Sequence, residues 1–216
     1  LIEESIAQKL DILKKYNKAL SPLKSSEIKA IERNMNIELE ELQLKAVETS
    51  LFEAVLILTG GPGTGKTTTL NAIINVMQNR DLKLCLAAPT GRAAKRMTEL
   101  TGIEAKTIHR LLEVEWDERN AKHTFKRNEK NPLDCDVLIV DELSMVDVVV
   151  FETLLRALRL GCRVILVGDS DQLPSVGAGN VLHDLIDSKC LPSICLKKVF
   201  RQALKSLIVS NAHDIV

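Results

Sequence analysis

The sequence predicts an α/β fold, a mostly parallel central sheet flanked by helices and preceded by a short helical segment. Three observations carry this. Short continuous apolar runs recur along the chain, they alternate with stretches of helical period, and the first run ends in a glycine-rich turn that opens a helix.

From Leu1 to about Leu51 the chain is polar, with Ile6, Leu10, Leu13 and later Leu39, Leu42 and Ala46 at helical spacing, and Ser21-Pro22 breaks the pattern. Val55-Leu56-Ile57-Leu58-Thr59 is too short for a helix and lacks polar alternation, so it is expected as a strand buried on both faces. Similar runs at Leu82 to Ala88, Val137 to Asp141, Arg163 to Val167 and Ile194 to Leu196 alternate with helical stretches. Those are Thr67 to Asn79, Arg92 to Leu100, Val146 to Leu158 and Asn180 to Asp187. Trp116 to Asn131 is rich in both charges and ends in Asn131-Pro132, which predicts either a long loop or a hairpin over the sheet.

The composition excludes several classes. With 216 residues, 45% of them hydrophobic, the chain has core enough for one generous domain, or a domain with an appendage, and is not disordered. Twenty-nine Lys and Arg balance twenty-nine Asp and Glu, so the global charge gives no sign of a nucleic-acid partner. At 3% aromatic residues, a single-strand binder built mainly on stacked rings is disfavoured. No apolar run approaches the roughly eighteen residues of a membrane-spanning helix. The first residue is Leu and no leader pattern follows, so the chain is expected to be a piece of a longer protein. Cys85, Cys135, Cys162, Cys190 and Cys195 have no second ligand pair at zinc spacing, and reduced thiols imply the cytoplasm. Cys190 and Cys195 alone leave a metal reading open.

The chemistry begins at Gly60-Gly61-Pro62-Gly63-Thr64-Gly65-Lys66-Thr67-Thr68, which fits G-x-x-x-x-G-K-[ST] between a strand and a helix. Glycines turn successive backbone N–H groups onto an anion, and the helix N-terminus adds its dipole. Lys66 then reaches the β and γ phosphates of ATP, and Thr67 ligates Mg²⁺. Asp141 and Glu142 end a second apolar strand. In that context Asp141 belongs to the Mg²⁺ shell, and Glu142 orients or deprotonates the attacking water.

Further motifs resemble superfamily 1 DNA helicases, in particular the RecD-like branch, also known as exodeoxyribonuclease V alpha subunits. The fold implied is a RecA-like P-loop NTPase motor domain. Gly168-Asp169-Ser170-Asp171-Gln172-Leu173-Pro174 resembles the block whose Gln senses the γ-phosphate, which falls here on Gln172 with Asp169 in support. Ala88-Pro89-Thr90-Gly91-Arg92-Ala93-Ala94-Lys95-Arg96 and Thr107-Ile108-His109-Arg110 resemble segments that contact single-stranded DNA. The resemblance thus implies Pro89, Thr90, Arg92, Lys95, Arg96, Thr107, His109 and Arg110 as DNA contacts, with His109 equally readable as structural. Leu42-Gln43-Leu44 resembles the segment whose Gln reads adenine, although Gln43 also suits the surface of an amphipathic helix. Val199-Phe200-Arg201-Gln202 resembles the segment supplying an arginine to the γ-phosphate, here Arg201. Phe125, Asn128 and Asn131-Pro132-Leu133 match the lead-in to the carboxylate strand. Trp116 and Phe125 suit either stacking on a base or packing of the charged stretch.

The resemblance covers roughly Glu38 onward. It implies residues 1–37 as a helical lead-in to an absent N-terminal domain, residues 38–216 as the first motor domain with an insertion at about 114–132, and a second motor domain that is absent. It also implies 5′ to 3′ translocation on single-stranded DNA, and it leaves open whether the protein acts alone or with other subunits of a recombination complex. Counted by segment, Arg80 to Lys130 holds twelve basic and eight acidic residues, so the neutral chain carries a positive middle over the blocks that resemble DNA contacts. Two other classes stay open from the residues alone: a P-loop NTPase of another kind, and a nucleotide-responsive subunit that does not hydrolyse.

Overall fold

The apolar runs form one sheet because helices on either side bury both of its faces. The computed structural model describes residues 1–117 and 122–199. Helices α1 (Ile2–Lys15), α2 (Ser25–Met35) and α3 (Glu41–Phe52) precede strand β1 (Val55–Gly60). Then come α4 (Lys66–Gln78), β2 (Leu84–Ala88), α5 (Gly91–Thr101), β3 (Ala105–Thr107) and the short α6 (Ile108–Leu111). Strands β4 (Val114–Asp117) and β5 (Lys122–Phe125) are followed by β6 (Val137–Val140), α7 (Val148–Arg156), β7 (Arg163–Gly168), α8 (Val181–Asp187) and β8 (Ser193–Leu196).

Six strands pair in the order β3-β2-β6-β7-β1-β8, every pair parallel. Successive side chains point to opposite faces. Val55, Ile57, Leu138, Val140, Val164 and Leu166 therefore meet Phe151 and Leu154 of α7 and Leu182 of α8. Leu56, Leu58, Val137, Ile139, Ile165 and Val167 meet Val47 of α3 and Ile73, Ile74 and Met77 of α4. Strand β8 lies at an edge, which explains why Ile194 and Leu196 are buried while Ser193 and Cys195 are exposed.

The helical lead-in is built into these layers. Ile6, Leu10 and Leu13 of α1 belong to the first core layer, Lys9 donates to the Leu158 carbonyl at 3.0 Å, and Ile31 of α2 belongs to the second. Arg163, 5% exposed, holds the junction. Its guanidinium donates to the carbonyls of Glu53 (2.8 Å), Ser50 (3.4 Å) and Lys18, satisfying orphan carbonyls at the end of α3 and tying the α1–α2 connection to the sheet.

One feature departs from the expectation and another settles between two expected alternatives. Strand β3 was not anticipated: it is three residues long and contains Lys106, and only its pairing with Leu86 to Ala88 makes it a strand. The charged stretch resolves into a hairpin, with Val114 opposite Phe125 and Asp117 opposite Lys122. Among the described residues no group of three His, Cys, Asp or Glu could hold a metal ion, so Cys190 and Cys195, both exposed and free, form no zinc site there. No described helix is long and apolar enough to cross a membrane.

Candidate functional site

Strands β6, β7 and β1 are neighbours, so their carboxyl ends bring Asp141, Asp169 and the glycine turn side by side. In an open parallel sheet, ligands bind outside the carboxyl ends where chain connections diverge. Here the chain leaves β1 for β2, crossing over β7 and β6, and returns later to β8 on the far side of β1.

The turn is shaped for an anion. Gly63 and Gly65 have φ of 75° and 87°, the left-handed region that glycine enters without strain. Thr64 is buried and its hydroxyl donates to the Gly61 carbonyl at 2.8 Å, bracing the loop from within. Gly65 caps α4, whose first N–H groups have no helical partner and face the cleft beside Thr67 and Thr68. The Lys66 ammonium donates to the carbonyls of Gly60 and, at 3.1 Å, Gly61.

Opposite the loop stand two carboxylates. The Glu142 backbone has φ 55° and ψ 42°, a left-handed conformation for a non-glycine residue, and its N–H donates to Asp141 Oδ1 at 2.9 Å. Burial pushes the Asp141 carboxyl above the usual aspartate range, opposed by that N–H, Lys66 and Arg96. Glu142 is raised by burial and then by its neighbour Asp141, with Lys66 and Arg96 opposing. Among the described residues neither carboxylate forms an ion pair. Asp141 and Thr67 line this same cleft, and a carboxylate with a hydroxyl is a hard-oxygen donor set of the kind that fits Mg²⁺.

These groups share one cleft of about 870 Å³, lined also by Gln43, Arg96, Asp169 and Gln172. Asp169 is 4% exposed, and its Oδ1 accepts from the Asp171 N–H at 3.0 Å, which shapes the loop carrying Gln172. Gln43 is 1% exposed. Its Oε1 accepts from the Glu40 N–H at 3.0 Å and its Nε2 donates to the Gly65 carbonyl at 3.4 Å, so the amide braces α3 against the glycine turn.

The segments expected at DNA lie at the carboxyl ends of β2 and β3, beside this cleft. Thr90 and Thr107 act as helix caps there, accepting from the N–H groups of Ala93 and Arg110, both at 3.2 Å. Arg92, Lys95, His109 and Arg110 are exposed, and Pro89 is half-buried. Arg96 is exposed as well and also lines the cleft. Phe125 packs against the core with its ring 6.1 Å from that of His109, so of its two readings packing is the one observed. Arg201 lies outside the described residues.

Sequence reasoning missed Ser144 and His183. Ser144, 5% exposed, donates to Gln172 Oε1 at 3.2 Å, and His183 Nε2 pairs with the Ser170 carbonyl at 2.7 Å. Ser144 lies in the stretch Asp141-Glu142-Leu143-Ser144-Met145-Val146-Asp147, which resembles the helicase pattern except at Leu143, but nothing in the sequence pairs it with Gln172.

Comparison with known proteins shows what the chain is similar to. A family model described as "AAA domain" matches residues 43–178. The chain is 40% identical over 187 residues to the "ATP-dependent RecD2 DNA helicase" of Deinococcus radiodurans, covering 87% of this chain and 25% of that protein. It is 41% identical over 168 residues to the "RecBCD enzyme subunit RecD" of Mycobacterium tuberculosis, covering 67% of this chain and 28% of that one. Among solved structures it is similar to the Pif1 helicase from Candida albicans, with a TM-score of 0.54 and 26% identity over 77% of this chain and 41% of the other. The resemblance to RecD-like helicases is thus borne out. The chain spans about a quarter of the length of the curated relatives it matches.

Proposed function

This chain belongs to the AAA domain family, and on that premise we propose that it is the ATP-hydrolysing first motor domain of a DNA helicase. The observation that carries the reading is the convergence of the Lys66 loop, Asp141, Glu142 and Gln172 on one cleft at the end of a parallel sheet. The relatives named as DNA helicases extend that reading from nucleotide chemistry to DNA.

In this reading the N–H groups of the glycine turn and α4 cradle the phosphates, and Lys66 leaves the loop carbonyls for the β and γ oxygens. Thr67 and Asp141 would hold Mg²⁺, which when bound neutralises charge developing on the phosphates. Glu142, made more basic by burial, orients the attacking water and accepts its proton. Gln172 donates to the γ-phosphate and loses that partner on hydrolysis. Arg201 supplies a second, planar cation to the same phosphate, and Gln43 keeps ATP as the preferred nucleotide by bonding adenine once released from its brace.

Single-stranded DNA would run over the exposed Arg92, Lys95, His109 and Arg110, with Pro89, Thr90 and Thr107 shaping the groove and Arg96 bridging DNA and nucleotide. Residues 38–216 form the motor unit and 1–37 its lead-in, working in the cytoplasm, in DNA repair or recombination, alone or with further subunits. Strand displacement on duplexes with 5′ or 3′ single-stranded tails, using the protein at its full natural length, tests the reading. Unwinding that needs ATP and a 5′ tail is expected, and absence of ATP-dependent unwinding on either substrate refutes it. A non-hydrolysing subunit would not need Glu142 beside Asp141, which favours turnover.

A further inference from the structure

We propose that Ser144 is a positioning residue that sets the direction of the Gln172 amide and thereby joins the carboxylate turn to the loop after β7. The inference rests on the γ-phosphate role proposed for Gln172. Ser144 stands two residues after Glu142, in the short 3₁₀ turn Leu143–Met145, and is nearly buried. Its hydroxyl meets Gln172 Oε1 at 3.2 Å across 28 residues of chain.

The backbone of the Gln172 loop has its own supports. The Gln172 N–H donates to the Asp169 carbonyl at 3.3 Å, the Asp171 N–H to the Asp169 carboxylate, and His183 of α8 pairs with the Ser170 carbonyl. None of these touches the Gln172 side chain. Among the described residues its one hydrogen-bond partner is Ser144.

A primary amide has a donor end and an acceptor end, and a hydroxyl can pair with either. An anionic phosphate can only accept. With phosphate in the cleft, one arrangement satisfies both neighbours: the carbonyl oxygen on the Ser144 hydroxyl and the NH₂ group toward the phosphate. Without the hydroxyl, the amide is free to rotate and to present its oxygen to an anion. Because Ser144 and Glu142 share one turn, a shift of the catalytic carboxylate also moves the anchor of the sensor.

The test is a double-mutant cycle in the protein at its full natural length, with Ser144→Ala, Gln172→Ala and both together. It reads ATP turnover on oligo-dT and, separately, ADP affinity, which involves no γ-phosphate. Gln172→Ala is expected to lower kcat about tenfold or more and Ser144→Ala about fivefold, with ADP affinity within about twofold of wild type and the double variant no slower than Gln172→Ala. Ser144→Cys, which keeps the size with a weaker donor, should fall between wild type and Ser144→Ala, and it serves as the test if Ser144→Ala does not fold. Wild-type turnover in the Ser144 variants with a slow Gln172→Ala overturns the positioning role and leaves the Gln172 reading intact. Wild-type turnover in Gln172→Ala overturns that reading and this inference with it. Additive losses in the double variant, or ADP affinity lost along with kcat, also overturn the positioning role.

Discussion

Glu142 donates its backbone N–H to the carboxylate of Asp141 at 2.9 Å, a bond that ties together two adjacent acids lining one cleft. Glu142 takes a left-handed backbone step there, and both carboxylates line the cleft shared with the Lys66 loop. Removing the charge of Glu142 while keeping its shape should therefore spare binding and stop chemistry. Glu142→Gln is expected to bind ATP with affinity within about threefold of wild type and to hydrolyse it about 10²-fold or more slowly. Equilibrium binding of a fluorescent ATP beside single-turnover hydrolysis checks both halves.

Lys66 supplies the cation on the opposite wall. In the structure its ammonium rests on loop carbonyls, a position from which it can swing to phosphate without unfolding the loop. Lys66→Ala should lower turnover about 10²-fold and weaken ATP binding, with a melting temperature close to wild type. Calorimetric titration with a non-hydrolysable ATP analogue, paired with a thermal melt, separates the two effects.

Gly60 ends β1 with φ 151°, and a Cβ placed there would lie 2.6 Å from both the Leu196 carbonyl oxygen and Thr64 Oγ1. The Leu196 oxygen is backbone paired with β1 and cannot retreat without opening the sheet edge. Gly60→Ala is expected to cost about 1–3 kcal/mol, read as a lower denaturant midpoint, and to weaken nucleotide binding by displacing Thr64 from its brace.

Arg163 is a stability prediction remote from the cleft. Arg163→Met keeps the volume but leaves the carbonyls of Ser50, Glu53 and Lys18 without their guanidinium partner. A loss of about 2–4 kcal/mol in chemical denaturation is expected, with the nucleotide affinity of the folded protein unchanged.

The strands that build the cleft were legible because a parallel strand buried on both faces must be apolar throughout, as Val55 to Leu58 and Val137 to Val140 are. The glycine turn was legible because its backbone angles demand glycine. Strand β3 was not, since Ala105-Lys106-Thr107 owes its conformation to a neighbour nearly twenty residues earlier. The amphipathic pattern of Ile6, Leu10 and Leu13 predicted a helix but could not say which face of the sheet it covers. Gln43 was visible as a motif residue, while its brace on Gly65 depends on a contact 22 residues away. Arg163 leaves a trace in the sequence, because a charge opening an otherwise apolar buried strand needs partners. The zero net charge concealed more than it revealed, because Arg92, Lys95, His109 and Arg110 stand exposed at one end of the sheet, beside the cleft.

In the proposed function, nucleotide hydrolysis at Lys66, Asp141 and Glu142 is coupled to DNA held by that basic edge. The steady-state ATPase rate of the protein at its full natural length, with and without single-stranded DNA, measures it directly when repeated with an Arg92→Ala, Lys95→Ala double variant. Stimulation of about tenfold or more is expected, with the double variant keeping its DNA-free rate and needing about tenfold more DNA to reach half-stimulation. A rate unchanged by single-stranded DNA, in the presence of normal ATP hydrolysis, would contradict it.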